Sequence, residues 1–318
     1  MHKVLITRQI PEAAVKYLRE KKIRVDIYSE DKPILPKELI RRAKGVDAVI
    51  ALLTDKFDKE VIDSLSNCKV IANFAVGYNN IDVEYAKKKN IIITNTPNVL
   101  NDSTADLAMT LVLACARRLI EGEKLIRAKK FRGWEPNLLL GVELKNKIFG
   151  VLGSGRIGTA TAIRAKAFGT KILYTSRSKN FELEKATCAG KVSLNVLLKK
   201  SDIISVHLPL TSETYHILNR EKLNLLKNTA ILVNTGRGEL IDEKELIKLL
   251  KKKKIMAAGL DVYENEPNIN PELLKLNNVV LLPHLGSATE DARNNMAMLA
   301  AKNVVAVLYG KKPFTPVG

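Results

Sequence analysis

Cysteine is scarce in this chain. Its 318 residues include three cysteines, Cys68, Cys115 and Cys188, which are odd in number, far apart and in no CxxC spacing. A disulfide framework needs paired cysteines and a structural zinc site needs closely spaced ones, so neither is favoured. We therefore expect reduced thiols, a reducing compartment and no bound metal.

Long apolar runs are also missing from the sequence. No stretch reaches the ~18 consecutive apolar residues of a membrane-spanning helix, and the opening residues show no apolar core followed by a small-residue cleavage site. We expect a cytoplasmic protein with no membrane partner. Apolar residues make up 46% of the chain and charged residues 27%, which favours a folded protein throughout.

Acidic residues are outnumbered by basic ones. The chain has 52 lysines and arginines against 34 aspartates and glutamates, a net charge of +18. Such an excess can indicate a nucleic-acid partner or an anionic substrate. The lysines lie in short runs, such as 87–89 and 251–254, mostly where a predicted helix ends and a cation suits the helix dipole. No nucleic-acid-binding motif or aromatic-interleaved basic patch is present, so we expect no nucleic-acid partner.

The sequence does contain a regular alternation of short β-branched runs and helical patterns. In the first third, strands are predicted at KVLIT, IRVDIY, DAVIALL, KVIANFA and NIIITN. A second series begins at KNKIFGVLG and continues through TKILYTS, DIISVHL, AILVNTG, IMAAGLDV and NVVLLPHLG. This is the βαβ pattern of parallel sheets with helices on both faces. We predict an α/β fold of two doubly wound, Rossmann-like parallel-sheet domains, with the site in a cleft between them.

Between the two series lies a long helix-compatible stretch, residues 103–128, whose first half is apolar on most faces. One domain does not obviously cover so many apolar faces, so we expect this helix to be buried against a second subunit. A homodimer is therefore the predicted assembly.

A glycine-rich turn opens the second series. Gly153, Gly155 and Gly158 stand in GxGxxG spacing, directly after an apolar strand and at the start of a predicted helix. The first glycine permits a tight turn, the second lets the backbone approach a pyrophosphate, and the third lets helix and strand pack closely. A lone GxGxxG can be merely a close strand–helix contact, but in a complete strand–turn–helix–strand unit it favours a dinucleotide. The predicted cofactor loop consists of Gly153, Ser154, Gly155, Arg156, Ile157 and Gly158.

The residues after the next predicted strand bear on the choice of cofactor. An NAD site usually has an acidic residue there, which accepts from the ribose 2′-hydroxyl. This chain has Ser176, Arg177 and Ser178 instead, with no carboxylate before Glu182. A serine hydroxyl and a guanidinium suit a 2′-phosphate, which an acid would repel, so we expect NADPH to be preferred, with NADH as the alternative. A solvated turn is the structural alternative for these residues.

Histidine is rare enough to be considered residue by residue. His2 is terminal, His216 lies in a polar connection, and His207 ends a predicted strand, where packing is its expected role. His284 follows the last strand of the second series, and the carboxyl ends of strands in doubly wound sheets face the ligand crevice. His284 is therefore our candidate proton donor.

Two more segments end at the same predicted edge. Arg237 is flanked by glycines after a buried strand, which suits a guanidinium held at a tight turn for two-pronged carboxylate binding. A further strand leads to Asp261, Glu264 and Glu266, and an acid beside His284 would favour the charged imidazolium that a proton donor needs. The pattern alone does not decide which of the three acids fills this role.

These segments resemble the D-isomer-specific 2-hydroxyacid dehydrogenase family over essentially the whole chain. The matching motifs are NFAVGYNNID, STADLA, GSGRIG, VNTGRGELID, AGLDVYENEP and LLPHLGSAT, in that order. The resemblance implies Arg237, Glu266 and His284 as the catalytic residues. It implies that Leu53 and the backbone N–H groups of Val76 and Gly77, with Arg237 and His284, contact the substrate. It places Asp261 near the nicotinamide amide, and adds to the cofactor contacts Thr104, Thr235, Gly236 and Gly286.

The resemblance also assigns roles to the two domains. Residues 99–286 are expected to form the dinucleotide-binding domain, and residues 1–98, completed by 287–318, the substrate-binding domain. Within the family the chain is most similar to glyoxylate and hydroxypyruvate reductases, through GSAT after His284, the segment from Trp134 to Gly141 and the TSRS loop. A D-3-phosphoglycerate dehydrogenase is the alternative enzyme. A dinucleotide-dependent corepressor is the alternative from another class, disfavoured because the chain has no long low-complexity extension.

Overall fold

The computed structural model describes residues 1–317. The chain divides into two compact units. One, here called the split unit, is formed by Met1–Leu100 together with the chain from Ala288 onward. The other, the continuous unit, is Asn101–Ser287.

Strands and helices alternate as the sequence predicts. In chain order the strands are β1 (Lys3–Ile6), β2 (Arg24–Ile27), β3 (Ala48–Ala51), β4 (Val70–Asn73), β5 (Ile92–Thr94), β6 (Ile148–Leu152), β7 (Lys171–Thr175), β8 (Gly190–Lys191), β9 (Ile203–Val206), β10 (Ile231–Asn234), β11 (Ala257–Leu260) and β12 (Val279–Leu281). The helices are α1 (Glu12–Glu20), α2 (Pro36–Ala43), α3 (Lys59–Asp63), α4 (Val83–Lys88), α5 (Asn101–Ala116), α6 (Leu119–Arg127), α7 (Arg156–Ala167), α8 (Phe181–Thr187), α9 (Leu194–Lys200), α10 (Arg220–Leu223), α11 (Glu243–Lys251), α12 (Pro271–Leu274) and α13 (Glu290–Leu308).

The split unit is built on a five-stranded parallel sheet in the order β2-β1-β3-β4-β5. Its central strands β3 and β4 are buried at every position, because helices cover both faces of a doubly wound sheet. Helix α13 packs on β3, β4 and α1. This helix from late in the chain therefore completes the hydrophobic core that residues 1–100 begin. The last described residues run along β5, where Val317 N–H donates to Ile93 O (2.9 Å).

The continuous unit holds a seven-stranded parallel sheet in the order β12-β11-β10-β9-β6-β7-β8. The chain starts at β6 in the middle, runs to one edge and then returns to build the other half, which is the arrangement of a dinucleotide-binding sheet. Together the two sheets confirm the predicted fold class of two Rossmann-like parallel-sheet units.

The long helix predicted over residues 103–128 is instead two helices. Helix α5 ends at Ala116, and Arg118 adopts a left-handed backbone conformation with φ of +52° before α6 begins. The apolar faces of α5 pack on α7, β10, β11 and β12 of its own unit. The expectation that α5 is buried against a second subunit was therefore wrong, since its own unit covers these apolar faces.

Exposed apolar side chains lie instead on α6 and on the irregular segment that follows it. The exposed fractions are 58% for Leu119, 58% for Ile126, 53% for Phe131, 85% for Trp134 and 63% for Leu140. Among residues 1–317 no helix is both long and apolar enough to cross a membrane.

Candidate active site

The carboxyl ends of the parallel strands of the continuous unit gather the loops that sequence analysis singled out. Because parallel strands end at the same edge, the loops after β6, β7, β10, β11 and β12 lie along one side of this sheet.

The glycine loop after β6 has three glycines with three different surroundings. Gly153 has φ of +98°, and a Cβ there would meet the carbonyl of His207 at 2.8 Å. A Cβ on Gly158 would meet the carbonyl oxygen of Gly153, so helix α7 can approach β6 only with glycine there. A Cβ on Gly155 would meet nothing within 4 Å. Gly155 thus faces open space at the start of α7, where the first-turn N–H groups favour an anion.

The surroundings of this loop fit a dinucleotide. Ser154, Gly155 and Arg156 line a cleft of about 450 Å³, and Ile157 follows in the first turn of α7. Thr235, at the end of β10, has a buried hydroxyl with no hydrogen-bond partner among residues 1–317. A buried polar group without a partner is costly, and a bound ligand can supply that partner. Gly236 follows directly, with its N–H donating to Asn234 Oδ1 (3.0 Å).

The loop after β7 is basic and held by its own contacts. Ser176 Oγ donates to Ser178 O (2.6 Å), so this hydroxyl is already engaged within the turn. Arg177 is exposed, and its carbonyl accepts from Lys191 Nζ (3.0 Å). Lys191, which sequence analysis missed, therefore adds a second positive charge beside Arg177, because β8 pairs with β7.

Asn180 connects this basic loop to the glycine loop. Its Nδ2 donates to Ser154 O (2.7 Å) and to Thr159 Oγ1 (3.0 Å), and its N–H donates to the Tyr174 hydroxyl (3.0 Å). The two predicted cofactor segments are thus joined by one side chain. No motif pointed to Asn180, because its role depends on tertiary contacts.

The turn after β10 holds Arg237. Asn234 Nδ2 donates to Arg237 O (2.7 Å), and Arg237 Nη1 donates to Gly236 O (2.7 Å). Burial lowers the pKa of Arg237, while the charges of Glu266 and Glu239 counteract this. A half-buried guanidinium near a carboxylate is a suitable anchor for an anionic ligand.

The loop after β12 places His284 next to Glu266. His284 Nδ1 lies 2.8 Å from Glu266 Oε2, and Glu266 Oε1 accepts from the N–H of Tyr263 (3.0 Å). Burial alone would raise the pKa of Glu266, but the hydrogen bond and charge of His284, the Tyr263 N–H and Arg237 outweigh it and hold that pKa below its usual value. Glu266 is therefore a carboxylate at neutral pH, and Arg237, Glu266 and His284 are brought together.

Asp261 shapes the turn that carries His284. Its Oδ1 accepts from Leu285 N–H (2.7 Å), its Oδ2 accepts from Gly286 N–H (2.8 Å), and its carbonyl accepts from His284 N–H (3.0 Å). Burial raises the pKa of Asp261, and these N–H groups and the charge of His284 counteract it. Thr104 Oγ1 donates to Gly286 O (2.9 Å), which fixes the same turn from α5.

The remaining histidines have structural partners. His207 Nε2 lies 2.8 Å from Ser205 Oγ, and burial lowers the pKa of His207 to about 4, so the ring is neutral near pH 7. His216 pairs with Glu264, the neighbouring acid that sequence analysis had left as an alternative. His2 lies 3.7 Å from Asp47 in the split unit. Among residues 1–317 no cluster of His, Cys, Asp or Glu is placed to hold a metal.

The three predicted substrate contacts of the split unit lie at the carboxyl edge of its own sheet. Leu53 follows β3, and Val76 and Gly77 follow β4. The carbonyl of Ala75 accepts from Thr96 N–H (2.9 Å), and that of Val76 accepts from Asn95 Nδ2 (2.8 Å). No residue of the described part of the chain accepts from the N–H groups of Val76 and Gly77.

Comparison with known proteins shows the family to which this chain belongs. Residues 109–286 match the family model for the NAD binding domain of D-isomer specific 2-hydroxyacid dehydrogenases. A glyoxylate reductase of Thermococcus litoralis is 49% identical over 315 residues, covering 98% of this chain and 95% of its own.

Solved structures are similar over the full length. A protein from Thermus thermophilus has a TM-score of 0.93 at 41% identity, covering 99% of this chain and 100% of its own. An NADPH-dependent glyoxylate/hydroxypyruvate reductase from Sinorhizobium meliloti, in complex with NADP and malonate, has a TM-score of 0.88 at 31% identity, covering 100% of this chain and 97% of its own.

Proposed function

Because this chain belongs to the D-isomer specific 2-hydroxyacid dehydrogenase family, we propose that it reduces glyoxylate or hydroxypyruvate to the corresponding 2-hydroxy acid. The family establishes an NAD(P)-dependent 2-hydroxyacid dehydrogenase, which reduces a 2-oxo acid in the reverse direction. The observation that carries the proposed reduction is the 2.8 Å contact between His284 Nδ1 and Glu266 Oε2, on the same sheet edge as the half-buried Arg237. This arrangement combines a proton donor, its carboxylate partner and a carboxylate anchor.

His284 is the proposed acid. Since Nδ1 faces Glu266, Nε2 is the nitrogen that can donate a proton to the carbonyl oxygen of the substrate. When bound, a dihydronicotinamide would supply the hydride for the carbonyl carbon of the substrate. In the reverse direction, neutral His284 accepts the hydroxyl proton at Nε2. Glu266 stabilises the imidazolium and orients the ring. It therefore assists His284 both as the acid in reduction and as the base in oxidation.

Arg237 is the proposed partner of the substrate carboxylate. A planar guanidinium can hold both carboxylate oxygens, which fixes the direction from which the carbonyl is approached. The N–H groups of Val76 and Gly77 are proposed as the second set of donors to the substrate, and Leu53 as an apolar neighbour of it. The split unit is accordingly the proposed substrate-binding domain and the continuous unit the proposed dinucleotide-binding domain.

The cofactor contacts are proposed from the fit of the loops. The glycine loop from Gly153 to Gly158 suits the pyrophosphate, with Thr235, Gly236, Asp261, Gly286 and Thr104 proposed around the nicotinamide side. Arg177 and Lys191 favour NADPH over NADH, because two cations attract a 2′-phosphate and no carboxylate stands at the end of β7. Ser176 and Ser178 are the proposed polar neighbours of that phosphate.

We further propose a homodimer and a cytoplasmic location. The exposed apolar side chains from Leu119 to Leu140 suit an interface between two copies of the chain, since large exposed apolar patches mark interaction surfaces. The cysteines Cys68, Cys115 and Cys188 are all free thiols, as a reducing compartment would keep them.

The proposed function is tested by steady-state kinetics of the purified protein. Glyoxylate, hydroxypyruvate, pyruvate and 3-phosphohydroxypyruvate are each measured with NADPH and with NADH. We expect glyoxylate or hydroxypyruvate with NADPH to give the highest kcat/KM. A higher value for 3-phosphohydroxypyruvate would assign the chain to phosphoglycerate oxidation instead, and no oxidation of either cofactor would overturn the proposal.

A further inference from the structure

The loop after β4 presents two consecutive backbone N–H groups with no acceptor in the described chain. They belong to Val76 and Gly77, both partly exposed. Consecutive N–H groups that point the same way form an anion-binding concavity. The direction of these two groups therefore decides whether the loop can bind a carboxylate.

Residues 95 and 96 set that direction. In a trans peptide the C=O of one residue and the N–H of the next point in opposite directions. The carbonyls of Ala75 and Val76 are held by Thr96 N–H (2.9 Å) and Asn95 Nδ2 (2.8 Å). The N–H groups of Val76 and Gly77 must consequently point away from residues 95–96, both to the same side. The Gly77 N–H depends on a single side-chain amide, that of Asn95.

The C-terminal segment in turn holds Asn95. Thr315 Oγ1 donates to Asn95 O (2.6 Å), and Asn95 N–H donates to Thr315 O (3.2 Å). Thr315 is itself fixed by Asn303 of α13, whose Nδ2 donates to Thr315 Oγ1 (2.8 Å) and whose Oδ1 accepts from the N–H groups of Phe314 (2.8 Å) and Thr315 (3.2 Å). Asn303 is fully buried, so this series of hydrogen bonds is anchored on a side chain with little freedom to move.

We propose that Asn95 is a positioning residue for substrate recognition, and that the C-terminal segment acts through it. Asn95 holds the Val76–Gly77 peptide so that both N–H groups face the carboxylate of a 2-oxo acid, and Thr315 and Asn303 hold Asn95. The inference rests on the proposed function for the identity of the anion. It adds Asn95, Thr315 and Asn303 to the residues that determine affinity for the substrate, through their effect on the Val76–Gly77 peptide.

The test compares Asn95→Leu with the parent. Leucine has a similar size and cannot donate, so the peptide loses its restraint. Because a hydrogen bond to a charged group is among the stronger ones, the KM for glyoxylate should rise by about 10-fold or more. The kcat should change by less than about 3-fold, because the acid and its partner are untouched. The KM for NADPH should not change.

Two conservative substitutions of Thr315 test the contribution of its hydroxyl group. Thr315→Val removes the hydroxyl and should raise the KM for glyoxylate by about 3-fold, a smaller effect because the backbone contact of Asn95 remains. Thr315→Ser keeps the hydroxyl and should restore the parent KM. Asn278→Leu is the matched control, because Asn278 Nδ2 also donates to backbone carbonyls, of Leu250 (3.2 Å) and Met256 (3.3 Å), but belongs to the continuous unit. It should lower the melting temperature without changing the KM for glyoxylate.

An unchanged KM for glyoxylate in Asn95→Leu, with a lowered melting temperature, would overturn the proposal, since Asn95 would then be structural only. Backbone amide NMR with oxamate as the added carboxylate separates this from a failure of the proposed function. If the parent does not reduce glyoxylate, oxamate should still shift the amide signals of Val76 and Gly77, and Asn95→Leu should abolish the Gly77 shift. Absence of both shifts in the parent would overturn the positioning role itself.

Discussion

At the scale of single residues, the contacts in the folded chain decide which acid pairs with His284, because residue type alone does not distinguish the candidates. Three acids follow β11 within six residues, and they have separate partners. Asp261 accepts from the N–H groups of Leu285 and Gly286, Glu264 pairs with His216, and Glu266 pairs with His284. One acid therefore remains for the proposed proton donor, a choice that the sequence pattern left open.

The Glu266→Gln substitution tests this pairing. Glutamine keeps the size of the side chain but removes the negative charge, so the imidazolium of His284 loses its stabilising neighbour. The kcat/KM for reduction should then decline at a lower pH than in the parent, whereas oxidation of the hydroxy acid, which needs neutral His284, should be less affected in alkaline solution. The measurement is the pH profile of kcat/KM in both directions.

The sign of this effect follows from the pKa of Glu266. Because that pKa lies below its usual value, the carboxylate stays charged at neutral pH, and its interaction with His284 is lost only as the pH falls through the lowered value. As a control, His284→Gln should depress both directions by about 10²–10⁴-fold. Coincident profiles for parent and Glu266→Gln would show that Glu266 does not influence the acid.

Arg237→Lys tests the carboxylate anchor. An ammonium group cannot reproduce a planar two-pronged contact, so the KM for the 2-oxo acid should rise by about 10-fold or more. The KM for the cofactor should change little. Steady-state kinetics with each reactant varied in turn makes this comparison, and an unchanged KM and kcat for the 2-oxo acid would remove Arg237 from the site.

At the scale of elements, the sequence predicts strands better than helix ends. Strands β1, β3 and β4 lie within continuous apolar runs because both faces of a parallel strand are buried. The break between α5 and α6 has no proline or glycine to mark it, and Arg118 adopts its left-handed conformation without a local sequence signal. Strand β8, at two residues, is too short for a hydrophobic pattern.

In the candidate site, too, some residues could be predicted from the sequence and others could not. The glycine loop, Arg237 and His284 stand directly after predicted strands, so topology alone places them on one edge. Asn95 also ends a predicted strand, but its contact with Val76, like those of Asn180 with Ser154 and of Lys191 with Arg177, joins segments distant in sequence. Their contacts exist only once the chain has folded, and a single sequence gives no pattern for them.

The loop after β7 gives a prediction about cofactor choice. Arg177→Asp should shift preference toward NADH, because the new carboxylate repels a 2′-phosphate and can accept from a 2′-hydroxyl. The NADPH to NADH ratio of kcat/KM should fall by about 10-fold or more. Lys179→Asp makes the same change of charge two residues away and should have a smaller effect. Equal shifts in both variants would indicate net charge rather than a contact at Arg177.

At the scale of the whole molecule, the prediction concerns assembly. The apolar side chains exposed on α6 and after it should be covered in a dimer, so light scattering at micromolar concentration should give about twice the 35.3 kDa of one chain. Ile126→Glu places a charge in the proposed interface and should reduce the mass toward that of a monomer. Leu274→Glu, on another exposed apolar position, should leave the mass unchanged. A parent of 35.3 kDa would contradict the dimer.

The split unit also has a consequence for how the protein is made. The continuous unit, Asn101–Ser287, leaves the ribosome as one uninterrupted stretch, and its sheet can be assembled as soon as β12 emerges. The five strands of the split unit are translated much earlier. Helix α13, which packs on β3, β4 and α1, is translated last. During synthesis, residues 1–100 must therefore leave apolar strand faces uncovered until α13 has been translated. Nascent chains stalled before Glu290 should accordingly bind holdase chaperones through residues 1–100, and release them once α13 is available.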